Sequence, residues 1–216
     1  MKTKLLFLFL IPLIYTSGLK AQDYAASLKI STLGVSVEGY RSLSSQFNVR
    51  LGIADFPYNA NNAVSSSTYS ANVDLKLLSV SALADWFPFE SNVRVTGGLM
   101  VNLNKVDIAL TPKKTYTQGN IIYTPAKLGQ LFADLTFNKV APYLGIGLGN
   151  PTAGAPGLGF TFDVGTFYQG GPKASMSATQ LLTPSASQSG ILQNDLKGFS
   201  FYPVLSFGLY YKFSFI

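Results

Sequence analysis

Three aspartates on separate segments of the chain, Asp74, Asp134 and Asp163, have the side chains best suited to acid or base catalysis. All 216 residues lack histidine and cysteine, which excludes a histidine-activated serine, thiolate chemistry and a Cys/His zinc site. Arginines and lysines occur on the same kind of segment as these aspartates and in similar number, which favours a structural ion network over catalysis. We therefore predict that the protein is not an enzyme and uses no metal or cofactor.

The glycine-rich stretch GIGLGNPTAGAPGLG, residues 145–159, invites comparison with a phosphate-binding loop. Such loops need a following helix whose N-terminus faces the anion, and here the alternating stretch LGFTFDVGTFY follows instead. Gly145, Gly147 and Gly149 alternate with larger residues, as expected where a strand faces a narrow interior.

The dominant hydrophobic period is two, which predicts β-strands throughout. Each alternating run has about nine residues or more, enough for a tilted strand to cross a bilayer. Nine runs are recognised: 28–41, 46–54, 69–84, 92–104, 131–138, 142–149, 158–168, 173–182 and 205–216.

Charged residues occur on the face opposite the large apolar side chains of these runs. A lipid-facing Arg or Lys at the membrane midplane costs about 2–4 kcal/mol, so the charges are expected to face a closed interior and pair there. This lumen ion network is predicted to contain Glu38, Arg50, Asp74, Lys76, Arg94, Asp134, Asp163 and Lys212. Since the polar face is also rich in Gly, Ser, Thr and Asn, a transmembrane barrel is favoured over a soluble, lipocalin-like barrel or sandwich.

The predicted fold is all-β: an antiparallel up-and-down transmembrane barrel of 8 to 10 strands. Connections 42–45, 85–91, 138–141 and 169–172 are short, whereas 56–68, 109–129 and 180–198 are long and polar. Short turns are typical of the periplasmic side and long loops of the extracellular side. Because single-chain barrels have even strand numbers, either Asp23–Lys29 adds a strand or one run is a loop.

Aromatic residues cluster at the turn DWFPF and at the end of the chain. Both places belong to the predicted periplasmic side, where aromatic girdles lie at the membrane interface. The predicted girdle contains Trp86, Phe87, Phe89, Tyr211, Phe213 and Phe215.

The first 21 residues have the pattern of a cleaved secretory signal peptide, with two early lysines, an apolar stretch from Leu5 to Tyr15 and a polar tail. Residues 22–216 are then the barrel domain. Without three lysines of the first segment, 13 basic and 10 acidic residues remain, and their scatter argues against nucleic-acid binding. Lys113, Lys114 and Lys127 are expected to be ordinary solvated lysines, with contact to anionic lipopolysaccharide as the alternative.

Several short strings carry a family resemblance over nearly the whole chain after the signal peptide: ADWFPF, VNLNKVDIAL, VAPYLGIGLG, FDVGTFYQGGPK and FYPVLSFGLYYKF. They resemble an uncharacterised group of small outer-membrane β-barrel proteins of Gram-negative bacteria, broadly similar to the outer-membrane protein A and W barrels. The resemblance implies an outer-membrane location, contact with outer-membrane lipids and insertion by the barrel-assembly machinery, and no catalytic residue to transfer. We expect a monomer.

A structural or surface-contact role with a filled lumen is the predicted function. The main alternative is a narrow, porin-like conduit for small, in particular hydrophobic, molecules. An outer-membrane lipid-modifying enzyme is a further alternative, and the missing histidine argues against it.

Overall fold

A computed structural model describes residues 23–88 and 91–213, and the predicted signal peptide lies outside them. Within these residues the chain is almost entirely antiparallel β-structure. The strands are β1 Tyr24–Ser31, β2 Gly34–Ser42, β3 Phe47–Ser65, β4 Tyr69–Trp86, β5 Val93–Asn102, β6 Lys105–Pro112, β7 Tyr116–Gln118, β8 Ile121–Tyr123, β9 Leu131–Thr136, β10 Val140–Leu148, β11 Gly157–Tyr168, β12 Lys173–Ala178 and β13 Phe201–Phe213. The helices are α1 Pro125–Leu128, α2 Ser189–Asp195 and two 3₁₀-helices, Gln180–Gln188 and Leu196–Ser200.

Eight strands form a hydrogen-bonded ring in the order β1, β2, β3, β4, β5, β10, β11, β13 and back to β1. Strand β4 pairs with β5 along its second half and closes the ring, while β1 pairs with β13 along its whole length. A ring of eight has an interior that side chains can just fill. Among the described residues no helix has the length and apolar composition needed to cross a membrane.

The ring has eight strands because five of the nine predicted runs are divided differently in the structure. Run 28–41 contains two strands separated by a tight turn at Thr32 and Leu33, and Gly34 follows this turn with φ +98°, a backbone conformation that favours glycine. Runs 131–138 and 142–149 follow one path down the barrel, as β9 and β10. Runs 158–168 and 173–182 likewise follow one path up the barrel, as β11 and β12, and only β11 belongs to the ring.

The predicted turns at 138–141 and 169–172 are wrong, because the chain does not reverse there. Together with residues 103–104 they are breaks in three strand paths. At each break the chain continues in the same direction but pairs with different neighbouring strands on the two sides. Below the breaks β5, β10 and β11 belong to the ring, and above them β6, β9 and β12 form a separate extension. The other two predicted short turns are real reversals of the chain: they occupy residues 43–46 and 87–92 and lie at the opposite, periplasmic end.

We call the extension the extracellular flap: the first half of β4, the last half of β3, and β6, β9 and β12. Its strand order is β3, β4, β6, β9, β12. The small hairpin of β7 and β8 and the helical segment between β12 and β13 lie at this same end of the barrel. The predicted long loop at 56–68 is therefore mostly strand, since β3 runs to Ser65 and β4 begins at Tyr69.

Large apolar side chains point outward around the ring. Leu28 and Ile30 on β1, Leu144 and Ile146 on β10, and Phe160 on β11 are all exposed, with Leu144 at 65%. Their alternate neighbours are buried in the interior. Such a surface is stable against hydrocarbon and would be costly in water, so the ring spans a membrane.

Leu144 lies halfway along β10 and tests this orientation. We predict that Leu144→Arg lowers the free energy of unfolding by about 2–4 kcal/mol, because the charge would face hydrocarbon near the midplane. Val140→Arg, at the exposed upper end of the same strand, should cost about 0–1 kcal/mol. Urea unfolding in lipid vesicles measures both values, and equal costs would contradict the membrane depth assigned here.

The hydrophobic pattern inverts where β4 leaves the membrane. In the ring part of β4, Val80 points outward and Ser79 points into the lumen. Above it, Leu77 lies on the inner side and is buried, while Lys76 and Asp74 lie on the outer side. The outward face meets hydrocarbon below this boundary and aqueous head groups above it, so the same alternation places opposite residue types outside.

Candidate functional site

The centre of the lumen holds one carboxylate that receives hydrogen bonds from four side chains. Asp163 on β11 accepts from Lys29 Nζ at 2.7 Å and from Arg94 Nη2 at 2.5 Å. It also accepts from Arg50 Nη2 at 3.3 Å and from Ser206 Oγ at 3.2 Å. These donors come from β1, β3, β5 and β13, so Asp163 joins strands from around the whole ring.

A second carboxylate, Glu38 on β2, lies beside this hub. It is bound by Lys29 Nζ at 2.7 Å and by Arg50 Nη1 at 3.1 Å. Tyr40 donates its hydroxyl hydrogen to Glu38 Oε2 at 2.5 Å, and its ring lies beneath the Lys29 and Arg50 cations, 5.6 and 5.9 Å from its centroid. The Glu38 carboxylate is therefore enclosed by one aromatic ring and two cations.

Arg94 is completely buried, and its hydrogen bonds hold groups on the side of the lumen away from Glu38. Besides Asp163, its guanidinium donates to Thr161 Oγ1 at 2.7 Å and to the main-chain carbonyls of Leu148 and Gly149. Asp85 lies 3.7 Å from Arg94 Nε and 3.5 Å from Arg50 Nε, and Thr96 donates to it at 2.6 Å.

These six charged residues, which we call the central plug, balance three bases against three acids: Lys29, Arg50, Arg94, Glu38, Asp85 and Asp163. Every one of them has a salt-bridge partner within the group, as buried charges require. The six side chains lie together inside the ring, whose interior is of a width that side chains can fill.

Polar and aromatic side chains fill the lumen on the periplasmic side of the plug. Asn48 donates to Asn150 Oδ1 at 3.1 Å and accepts from Thr152 Oγ1 at 2.9 Å, which ties the loop between β10 and β11 under the barrel. Lys212 lies at this end, 3.1 Å from Asp23, and donates to the Gly154 carbonyl at 2.6 Å.

Apolar side chains fill the extracellular side. Leu33, Met100, Tyr143, Phe167 and Val204 form a buried cluster, and Phe167 stacks on the Tyr202 ring at 5.1 Å. A cavity of about 40 Å³ remains between this cluster and the plug, with room for roughly two or three water molecules.

The prediction of one eight-residue network is corrected by this geometry. Four of its members, Glu38, Arg50, Arg94 and Asp163, meet in the central plug. Lys212 pairs at the periplasmic end instead.

The other three members of that prediction lie outside the lumen, on the outer face of the flap. Lys76 pairs with Asp74 at 3.3 Å, and Lys105 lies 2.6 Å from Asp107 and 3.5 Å from Asp134. In run 69–84 the large apolar residues include Leu75 and Leu77, and the prediction takes their face as the outward one. These leucines in fact point inward, because they lie above the membrane boundary. The hydrogen bond that Lys105 donates to Asp107 raises the pKa of this lysine.

Two members of the plug are not among the residues predicted from the sequence. Lys29 alternates with Leu28 and Ile30 and so gives a readable signal, but the prediction treats run 28–41 as one strand. Asp85 is the last inward residue of β4, and the prediction places it in the turn DWFPF.

Only some residues of the predicted aromatic girdle lie on the outer surface at the periplasmic end. Trp86, Tyr211 and Phe213 are outward and exposed at the periplasmic end. Phe87 is 0% exposed, because alternation after Trp86 turns it inward. Phe89 and Phe215 lie outside the described residues.

Gly147 lies on the lumen face of β10, directly against the plug. A Cβ at this position would lie 2.7 Å from Asp163 Oδ1 and 2.8 Å from Arg94 Nε. The interior therefore needs a residue without a side chain here, and the segment after residue 156 is a strand, β11, rather than a phosphate-binding helix. No group of acidic residues in the described part of the chain is arranged to hold a metal ion.

An apolar outer band, an eight-stranded ring and a charged, filled interior together define a small transmembrane β-barrel of the outer-membrane class. No protein-family model matches the chain, and no curated protein is significantly similar to it.

Several solved structures share this fold. CarO of Acinetobacter baumannii is 17% identical, with 87% of this chain and 96% of CarO covered and a TM-score of 0.60. CarO2 of Acinetobacter baumannii is 15% identical, with 90% and 100% covered and a TM-score of 0.63. A major outer membrane protein of Thermus thermophilus is 14% identical, with 90% and 100% covered and a TM-score of 0.51. At these identities the likeness establishes the outer-membrane barrel fold.

Proposed function

We propose that the protein is a closed outer-membrane barrel of a Gram-negative bacterium, with a structural or surface-contact role and no open pore. The carrying observation is the central plug, in which the Asp163 carboxylate is hydrogen-bonded from four strands. Breaking such a buried pair leaves an uncompensated charge, so the plug resists opening.

Planar-bilayer recording tests the closed lumen. We expect the purified, folded barrel to show no steady porin-like conductance, because the plug leaves no continuous aqueous path. The double variant Glu38→Ala/Arg50→Ala removes one acid and one base, preserves the charge balance and should produce measurable conductance. Asp74→Ala/Lys76→Ala makes the same chemical change on the flap and should stay closed. Large conductance of the unaltered barrel would overturn the proposal.

A narrow conduit for small molecules is the second candidate, and the cavity above the plug favours it. Apolar residues such as Leu83 and Met100 line its walls, and Glu38, Arg50 and Asp163 form its polar floor. Liposome-swelling assays with small neutral solutes distinguish the two functions. Swelling at a rate that exceeds protein-free liposomes, and that rises in Glu38→Ala/Arg50→Ala, supports the conduit.

We also propose that the protein is not an enzyme. The lumen carboxylates that could act as acid or base are all engaged by Lys or Arg, which supports a structural role. Mass spectrometry of lipopolysaccharide and phospholipid incubated with the barrel tests this. A modified lipid that disappears in Asp163→Asn would contradict the proposal.

A further inference from the structure

A second cavity, of about 140 Å³, lies on the outer face of the extracellular flap. Four adjacent strands contribute to its lining: Asn59 on β3, Asn72, Val73 and Asp74 on β4, Asp107, Ile108 and Ala109 on β6, and Phe132 and Asp134 on β9. Because one cavity contacts four neighbouring strands, the outer face of the flap is concave here.

The side chains around this cavity come from two adjacent cross-strand rows. The row nearer the membrane consists of Asn59, Asp74, Asp107 and Asp134. The row above it consists of Asn72, Ala109 and Phe132. Ala109 has only a methyl group between the larger side chains of Asn72 and Phe132. A gap therefore remains that is bounded by an amide, a phenyl ring and a row of carboxylates.

The charges around the cavity disfavour a charged ligand of either sign. Every charged residue that the structure places along its walls is an aspartate, so an anion would meet like charges. The basic partners lie one row closer to the membrane: Lys76 is 3.3 Å from Asp74, and Lys105 is 2.6 Å from Asp107 and 3.5 Å from Asp134. A cationic ligand would have to compete with these two lysines. The cavity is therefore polar and nearly neutral.

The aspartates keep hydrogen-bonding capacity toward the cavity. A carboxylate has about four acceptor positions. The salt bridges with lysine involve one oxygen each of Asp74 and Asp134, whose side chains are 36% and 42% exposed. Their other acceptor positions can be reached from outside. An ionised oxygen accepts stronger hydrogen bonds than a neutral one, so these positions suit the hydroxyl groups of a ligand.

Phe132 and Ala109 give the cavity an apolar wall. Phe132 is half-buried. A pyranose ring has an apolar C–H face and hydroxyl groups around its edge, so it can lie against Phe132 while its hydroxyls reach the carboxylates. A small number of polar groups on an apolar wall is the usual composition of a ligand site. The volume suits one six-membered ring, since a cavity of about 150 Å³ holds benzene.

We propose that this cavity is a binding site for an uncharged sugar ring. Along β4, Asp74 lies four residues above the outward Leu78, about 14 Å up the tilted strand and above the hydrocarbon. Sugars reach this height as chains of lipopolysaccharide or as free glycans. The inference rests on the proposed outer-membrane location and surface-contact role, to which it adds a ligand class, and it is independent of the closed lumen.

Saturation-transfer NMR titrations of the folded barrel measure the affinity for glucose, galactose and mannose. Glucosamine and a hexose phosphate are the charged controls. The detergent is an amine oxide, because glucoside or maltoside head groups would compete. Asn72→Ala/Phe132→Ala removes an amide and the apolar wall and leaves the aspartates and lysines in place. Asn120→Ala/Phe199→Ala makes the same chemical change at exposed positions outside the cavity. A heat-modifiability gel verifies that both variants fold.

We expect at least one of the three neutral hexoses to bind, and the cavity variant to bind it at least about tenfold more weakly, because an aromatic contact and a hydrogen bond are lost. The control variant should stay within about twofold of the unaltered protein. Absence of binding by all three hexoses overturns the proposal. Equal affinity of the cavity variant and the unaltered protein, or a clear preference for either charged sugar, also overturns it.

The isolated core oligosaccharide and intact rough lipopolysaccharide identify the source of the sugar. Tighter binding of the intact glycolipid assigns the site to lipopolysaccharide, and equal binding of the oligosaccharide assigns it to glycans in general. Both results support the sugar site. Failure of sugar binding leaves the closed lumen standing, and a porin-like conductance of the barrel leaves the sugar site standing.

Discussion

Replacing Arg94 by methionine should lower the free energy of unfolding of the barrel by about 3–5 kcal/mol. Arg94 is 0% exposed and binds Asp163 at 2.5 Å, so its loss leaves a buried carboxylate with one cation fewer. The hydroxyl of Thr161 and the main-chain carbonyls of Leu148 and Gly149 lose a donor as well. Urea titration of the folded barrel in detergent, followed by heat-modifiability, measures the change.

Two variants separate the loss of the buried charge from other effects. Arg94→Lys keeps the positive charge but loses the forked guanidinium, so we expect an intermediate cost. Lys76→Met removes a cation from the exposed pair with Asp74 and should cost less than about 1 kcal/mol. A urea midpoint for Arg94→Met that equals the unaltered one would refute the energetic importance of the plug.

Four members of the plug, Glu38, Arg50, Arg94 and Asp163, could be predicted because their strands lie within the bilayer. Arg50 alternates with Val49 and Leu51, and Asp163 alternates with Phe162 and Val164. One face of each strand must meet hydrocarbon, and a charge there is costly, so alternation alone decides which way these side chains point.

The same alternation could not place Asp74 and Lys76. They alternate with Leu75 and Leu77 as regularly as Arg50 does with its neighbours. The height at which β4 leaves the bilayer decides whether apolar residues point outward or inward, and that height depends on the length of the neighbouring strands. β4 is 18 residues long whereas β1 has only eight, which local periodicity does not report.

The predicted range of 8 to 10 strands is confirmed by the ring of eight, but the sequence could not choose within that range for a related reason. Asn138 and Gly170 have the residue types of tight turns, and Asn138 would touch a Cβ placed on Gly170. In the structure both lie at breaks where one strand changes its partners and continues in the same direction. Turn residues report a local departure from strand geometry, and only pairing with distant segments shows whether the chain reverses.

Replacing Gly147 by alanine should destabilise the barrel by about 1–3 kcal/mol, although alanine normally suits a strand better than glycine. The added Cβ would lie 2.7 Å from Asp163 Oδ1 and 2.8 Å from Arg94 Nε, so the most constrained ion pair of the plug would have to move. Urea midpoints after refolding into detergent micelles measure this cost.

Gly39→Ala on β2 is the matched control, since a Cβ there meets no atom within 4 Å. We expect it to be neutral or to stabilise the barrel by up to about 1 kcal/mol, opposite in sign to Gly147→Ala. If both variants had the same midpoint, the plug could shift by several tenths of an ångström without loss. Its contribution would then come from charge balance alone, and the cost of Arg94→Met should be recovered largely by Arg94→Lys.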